Sequence, residues 1–230
     1  MDLVQTLSRV ALLGSTWVLY GLLLLSVLSV GLAVERWWFF AKSRRAAAGL
    51  RHHLLGHLRL GELTEADAVL QRDASLEASA LRAALQRRSE GPDAVLVALD
   101  GELAVLRPRL EQGLTLLGTI GNNAPFLGLF GTVIGVIEAF HHLGAGTDAA
   151  MGKVMAGIAE ALVATAVGIF VALPAVAAYN GLQKRIADVE GEVQALGKLF
   201  AALLYAKGPA AVAVGSTATP AAARPLHKVG

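Results

Sequence analysis

Three polar side chains lie where the surrounding sequence is almost wholly apolar: Thr132, Glu160 and Thr165. A hydroxyl donates and accepts hydrogen bonds, and a carboxyl group takes up and releases a proton. An ionisable group in hydrocarbon costs about 2.5–3.5 kcal/mol on insertion scales, so such groups face a pore, a partner or a water-filled cavity. The three residues therefore suggest a chain that moves something across a membrane rather than one that merely sits in it. Each also has a plain structural explanation. Thr132 can satisfy its hydroxyl on its own i−4 carbonyl. Glu160 falls two or three residues inside the apolar segment, where a helix start and its dipole would favour a carboxylate. Thr165 lies about 140° around a helix from Glu160, so the two need not share a face. Glu138, near the end of its segment, can snorkel to the interface.

Two Gly- and Ala-rich segments carry these residues, Gly121 to Phe140 and Gly157 to Asn180. Their small residues recur three and four apart, the pattern that lets helices pack closely in lipid. Pro125 and Pro174 each remove a backbone donor and are expected to bend their helices. A third apolar run, Trp17 to Val34, contains no charge. It is longer than a signal-peptide core and is followed by Glu35-Arg36-Trp37-Trp38 in place of a small-residue cleavage site, so it reads as a retained span.

About 20 apolar residues cross a bilayer, which predicts an all-α membrane protein with three transmembrane helices, long cytoplasmic helical extensions and assembly into an oligomeric bundle. The expected layout is a short N-terminal tail (1–10), a first span (11–35), a cytoplasmic helical domain (36–113), a second span (114–143), a short external loop (144–157), a third span (158–180), a cytoplasmic helix (181–207) and a disordered tail (208–230). Basic residues set the orientation. Arg36, Lys42, Arg44, Arg45 and many more arginines separate the first two spans, while the loop after the second holds only Lys153. The positive-inside bias then puts the N-terminus outside and the C-terminus in the cytoplasm.

The chain is 55% hydrophobic with a net charge of +2, too small a charge to argue for nucleic acid. It has no cysteine, which excludes disulfides, thiolate metal sites and cysteine nucleophiles. The stretch Gly146 to Lys153 superficially resembles a phosphate loop, but it has five intervening residues and no Ser or Thr after the lysine. His52, His53 and His57 do not line up on one helical face. No catalytic grouping can be assembled within the spans, so neither an enzyme nor a cofactor or metal site is expected.

The stretch Ala124-Pro-Phe-Leu-Gly-Leu-Phe-Gly-Thr-Val-Ile-Gly135 resembles the second-span signature of the ExbB/TolQ proton-channel family, to which the flagellar stator protein MotA is a more distant relative. Gly157-Ile-Ala-Glu-Ala-Leu-Val-Ala-Thr-Ala-Val-Gly168 and Leu173-Pro-Ala-Val-Ala-Ala-Tyr-Asn180 resemble its third span. The resemblance covers about 60 residues and is closest to ExbB on general similarity. It implies a Gram-negative inner-membrane proton-channel subunit, a homopentamer around a small single-span partner of the ExbD/TolR type. That partner would supply a membrane aspartate, and TonB or TolA would carry the work onward. It also implies that Thr132, Glu160 and Thr165 are the polar pore-facing positions. A TolQ-like role in envelope integrity and a non-conducting membrane scaffold are the alternatives.

Overall fold

The structure, a computed structural model, describes residues 16–73, 75–143 and 148–207. The expected N-terminal tail (1–10), the first residues of the loop (144–147) and the C-terminal tail (208–230) lie outside the described residues. Six helices make up the rest: α1 (Thr16–Leu60), α2 (Leu63–Arg72), α3 (Leu76–Leu85), α4 (Pro92–Leu110), α5 (Leu114–Leu143) and α6 (Asp148–Lys207). A single 3-10 turn, Arg88–Glu90, precedes α4. No strand occurs among the described residues. Helices α1, α5 and α6 are each long and apolar enough to cross a membrane. A span needs about 20 residues, so α1 with 45 and α6 with 60 exceed one.

The chain divides into two compact units. The first lies within Met1–Arg45 and Arg107–Val189 and holds the apolar helical segments. Its helices meet through small residues. The indole of Trp17 stacks edge-on against Phe130, with ring centroids 6.0 Å apart, and so joins α1 to α5. Arg36 is 6% exposed and does more than add to the positive charge. Its guanidinium donates to the Arg109 carbonyl at 3.3 Å and to Glu35 at 2.6 Å, and lies 5.1 Å from the Phe39 ring centre. The Arg109 carbonyl belongs to the last turn of α4, where helix carbonyls lack internal donors, so Arg36 satisfies one of them. Gly113, at φ 78°, then makes the turn into α5 with Leu32 close by; a side chain there would be strained.

The second unit lies within Ala46–Leu106 and Glu190–Gly230 and is built as a soluble bundle is. Leu54, Leu70, Leu81, Leu99, Val193 and Phe200 form a closed apolar core. Ser75 caps α3 by accepting from the Ala78 N–H at 3.2 Å, and its own N–H donates to Asp73 at 2.7 Å. The pair Gly91-Pro92 behaves as its chemistry requires: glycine at φ 111° makes the turn, and proline opens α4. Tyr205 donates to Asp93 and ties the end of α6 to the start of α4. His57 is a partner of Glu62, 2.9 Å away, rather than of the other histidines.

One boundary departs from expectation. The segment read as loop up to residue 157 is helical from Asp148 onward. Hydropathy marks where a helix enters lipid, whereas Ala149, Ala150, Met151 and Lys153 favour helix with or without lipid.

Candidate functional site

Helices α5 and α6 touch backbone to backbone. A Cβ placed on Gly128 would lie 2.8 Å from the Ala164 carbonyl oxygen and 3.0 Å from the Thr165 Cα. One placed on Gly168 would lie 2.7 Å from the Ala124 carbonyl oxygen, and one on Gly135 would lie 2.7 Å from the Ala161 Cβ. The small-residue stripe is thus the contact itself, with no space for any larger residue on either side.

Thr165 sits at this contact. Its hydroxyl oxygen is buried and has no hydrogen-bond partner. Threonines in membrane helices commonly bond to their own i−4 carbonyl, and a buried polar atom left without a partner costs about 1–3 kcal/mol. Here that bond is not made. Thr132, one helical turn beyond Gly128, donates to the Leu129 carbonyl at 2.6 Å, i−3 rather than the expected i−4. Its oxygen keeps acceptor capacity. Since Gly128 abuts Thr165, the two threonines bracket one short stretch of the α5–α6 contact.

Glu160 takes a different place. With α6 beginning at Asp148, it lies three turns inside the helix. The dipole effect fades within the first turn, so the helix-start explanation for this carboxylate falls away. Instead it accepts from the Thr16 hydroxyl of α1 at 3.1 Å. The structure therefore places Thr165 at the α5–α6 contact, leaves Thr132 one turn along α5 from the glycine that Thr165 abuts, and turns Glu160 towards the first span. The Thr16 contact had no signal in the sequence, since a lone threonine before an apolar run predicts no partner 144 positions away.

A second feature went unread. At the other end of the α5–α6 pair, Thr115, Thr119, Asn122 and Asn123 of α5 and Tyr179 and Gln183 of α6 line an open groove of about 420 Å³. Its side chains are ordered by bonds to their own helices. Thr119 donates to the Thr115 carbonyl at 2.7 Å, Asn123 to the Thr119 carbonyl at 2.8 Å, and Gln183 to the Tyr179 hydroxyl at 2.8 Å. The signal was present in the dipeptide Asn122-Asn123, two amides opening an otherwise apolar stretch.

Comparison with known proteins gives the chemistry its context. The profile of the MotA/TolQ/ExbB proton channel family matches residues 72–195. The chain is similar to the Tol-Pal system protein TolQ of Pseudomonas aeruginosa, 41% identical over 126 residues, 53% of this chain and 54% of that protein. It is also similar to the biopolymer transport protein ExbB of Neisseria meningitidis, 35% identical over 177 residues, 71% of this chain and 79% of that protein. Similarity to ExbB of Pseudomonas putida is 30% over 187 residues, 74% of this chain and 57% of that protein. The chain thus spans about half the length of the TolQ relative and most of the meningococcal ExbB. The matched profile covers more than half of the sequence and includes both polar-bearing helical segments. With its three apolar helices, this multi-pass membrane protein belongs to the MotA/TolQ/ExbB proton channel family.

Proposed function

We propose that this chain is the pore-wall subunit of an inner-membrane proton channel that works with a single-span partner carrying a membrane aspartate. The observation that carries the reading is the buried, unpartnered Thr165 hydroxyl, with Thr132 one turn from the glycine it abuts. A partner carboxylate entering the membrane favours protonation until it meets water or hydrogen-bond donors. The Thr165 hydroxyl has no bond of its own to give up, so a movement of α6 that uncovers it lets it donate to the ionised form. Thr132 can do so by releasing the Leu129 carbonyl. Glu160, held by Thr16, braces the third span against the first and tunes the field of the pore.

In this reading five copies surround the partner, the N-terminus is periplasmic and the C-terminus cytoplasmic. One elementary charge crossing 100 mV yields about 2.3 kcal/mol, enough to bias the partner among near-equivalent positions. The work passes to TonB for outer-membrane active transport. Support for the ExbB-like role comes from the breadth of the match to ExbB, 177 residues. The TolQ-like role has its own support in the higher identity, 41%, over a shorter stretch. Complementation separates them: the ExbB-like role restores TonB-dependent uptake, and the TolQ-like role restores detergent resistance.

The test of the channel is Thr165→Val in the complex with its partner. Proton uptake by vesicles should be lost while the assembly co-purifies intact. Wild-type proton flux in that variant would overturn the assignment.

A further inference from the structure

We propose that the groove between the first turns of α5 and the Tyr179–Gln183 turn of α6 is the hydrated mouth through which protons handled at the threonine pair exchange with the cytoplasm. The inference rests on the proton-channel reading and adds to it the exit and the residues that hold its water.

The groove is polar where its surroundings are not. Phe126, Leu129, Phe130 and Val133, the next turns of α5, expose large apolar side chains, as a lipid-facing surface does. Thr115, Thr119, Asn122 and Asn123 break that surface at one end only. Such groups at membrane depth are placed where water or protein meets them, because an amide without partners in hydrocarbon costs several kcal/mol. Their internal bonds use up only part of their capacity. Asn123 spends an N–H on the Thr119 carbonyl and keeps its oxygen; Tyr179 accepts from Gln183 and keeps its O–H. Apart from Glu111 at one end, the polar lining is therefore a neutral mixture of donors and acceptors, which suits a chain of waters. The groove, about 420 Å³, is large enough to hold several waters.

At one end Glu111 lines the groove and is paired with the exposed Arg107 at 2.8 Å, so the groove opens on charged, hydrated side chains. At the inner end Pro125 has no N–H, so the Gly121 carbonyl loses its helical donor.

Because the chain has no cysteine, single introduced thiols report without background. In inverted vesicles holding the full chain with its partner, a charged, membrane-impermeant thiol reagent should modify Asn122→Cys at least about tenfold faster than Phe126→Cys, since only a water-exposed thiol ionises and reacts. Equal rates at the two positions overturn the proposal. Proton flux gives the second readout. The double variant Asn122→Leu, Gln183→Leu should lose about tenfold or more in flux, while Asn122→Gln stays near wild type and all three co-purify with the partner. If wild type conducts, Thr165→Val does not, and the double variant conducts as wild type, the exit falls and the channel reading stands. If wild-type vesicles conduct no protons, both fall.

Discussion

The two units of this chain pack their helices differently. In the second unit the large side chains are inside: Leu54, Leu70, Leu81, Leu99 and Phe200 are buried together. In the first, Leu22, Leu117 and Leu182 are buried as well, but α5 and α6 meet through glycine and alanine, and Phe126, Phe130, Ile137 and Phe170 face outward. Water drives large apolar groups together, because their removal from it is what stabilises the fold. Lipid offers no such drive, and close van der Waals contact between backbones takes its place. Large apolar side chains thus fill the core of the second unit, while in the first many of them face outward and small residues make the α5–α6 contact.

Breaking each core in its own way tests this contrast. Phe200→Ala, which empties the largest fully buried site of the second unit, should destabilise by about 3–5 kcal/mol. Unfolding in detergent, followed by denaturant titration, measures it; Phe170→Ala on the outward face of the first unit serves as the near-neutral control. Next in size is overfilling. Gly128→Ala forces a methyl to within 2.8 Å of a backbone oxygen and should cost about 1–3 kcal/mol, seen as a lower melting temperature of the purified complex. Gly181→Ala, in a helix position with open space, should instead be neutral or stabilising by up to about 1 kcal/mol. If both glycine variants behave alike, backbone contact is not what holds α5 to α6. The smallest effect is Ser75→Ala, which removes the cap of α3 and should cost about 1 kcal/mol by the same titration.

These contrasts also explain what could be read in advance. The all-helical membrane fold was legible because lipid demands length and apolarity, and Trp17–Val34 and the two Gly/Ala-rich segments supply both. The start of α6 was not, since Asp148–Gly157 is helical by propensity while hydropathy reports only the lipid-facing part. Thr132 and Thr165 stood out by type. Their different states did not, because whether a threonine bonds its own helix is a rotamer choice set by the facing residues, here Gly128 and its neighbours. Glu160 was read as a pore-facing carboxylate with a helix start as the competing explanation, and only the start of α6 at Asp148, which hydropathy does not report, removes that competitor. The groove was overlooked because Thr119, Asn122, Tyr179 and Gln183 come together only across two helices about 60 positions apart in sequence.

The glycine ladder has a mechanical consequence. Side chains that interdigitate can absorb a push by changing rotamer, but Gly128, Gly168 and the Ala164 carbonyl have no rotamers to change. A wall built from such contacts is stiff against shear, so load applied to one helix is transmitted to its neighbour instead of being dissipated between them. Under the proposed function, a wall that holds still around a moving partner gains more from stiffness of this kind than from raw stability.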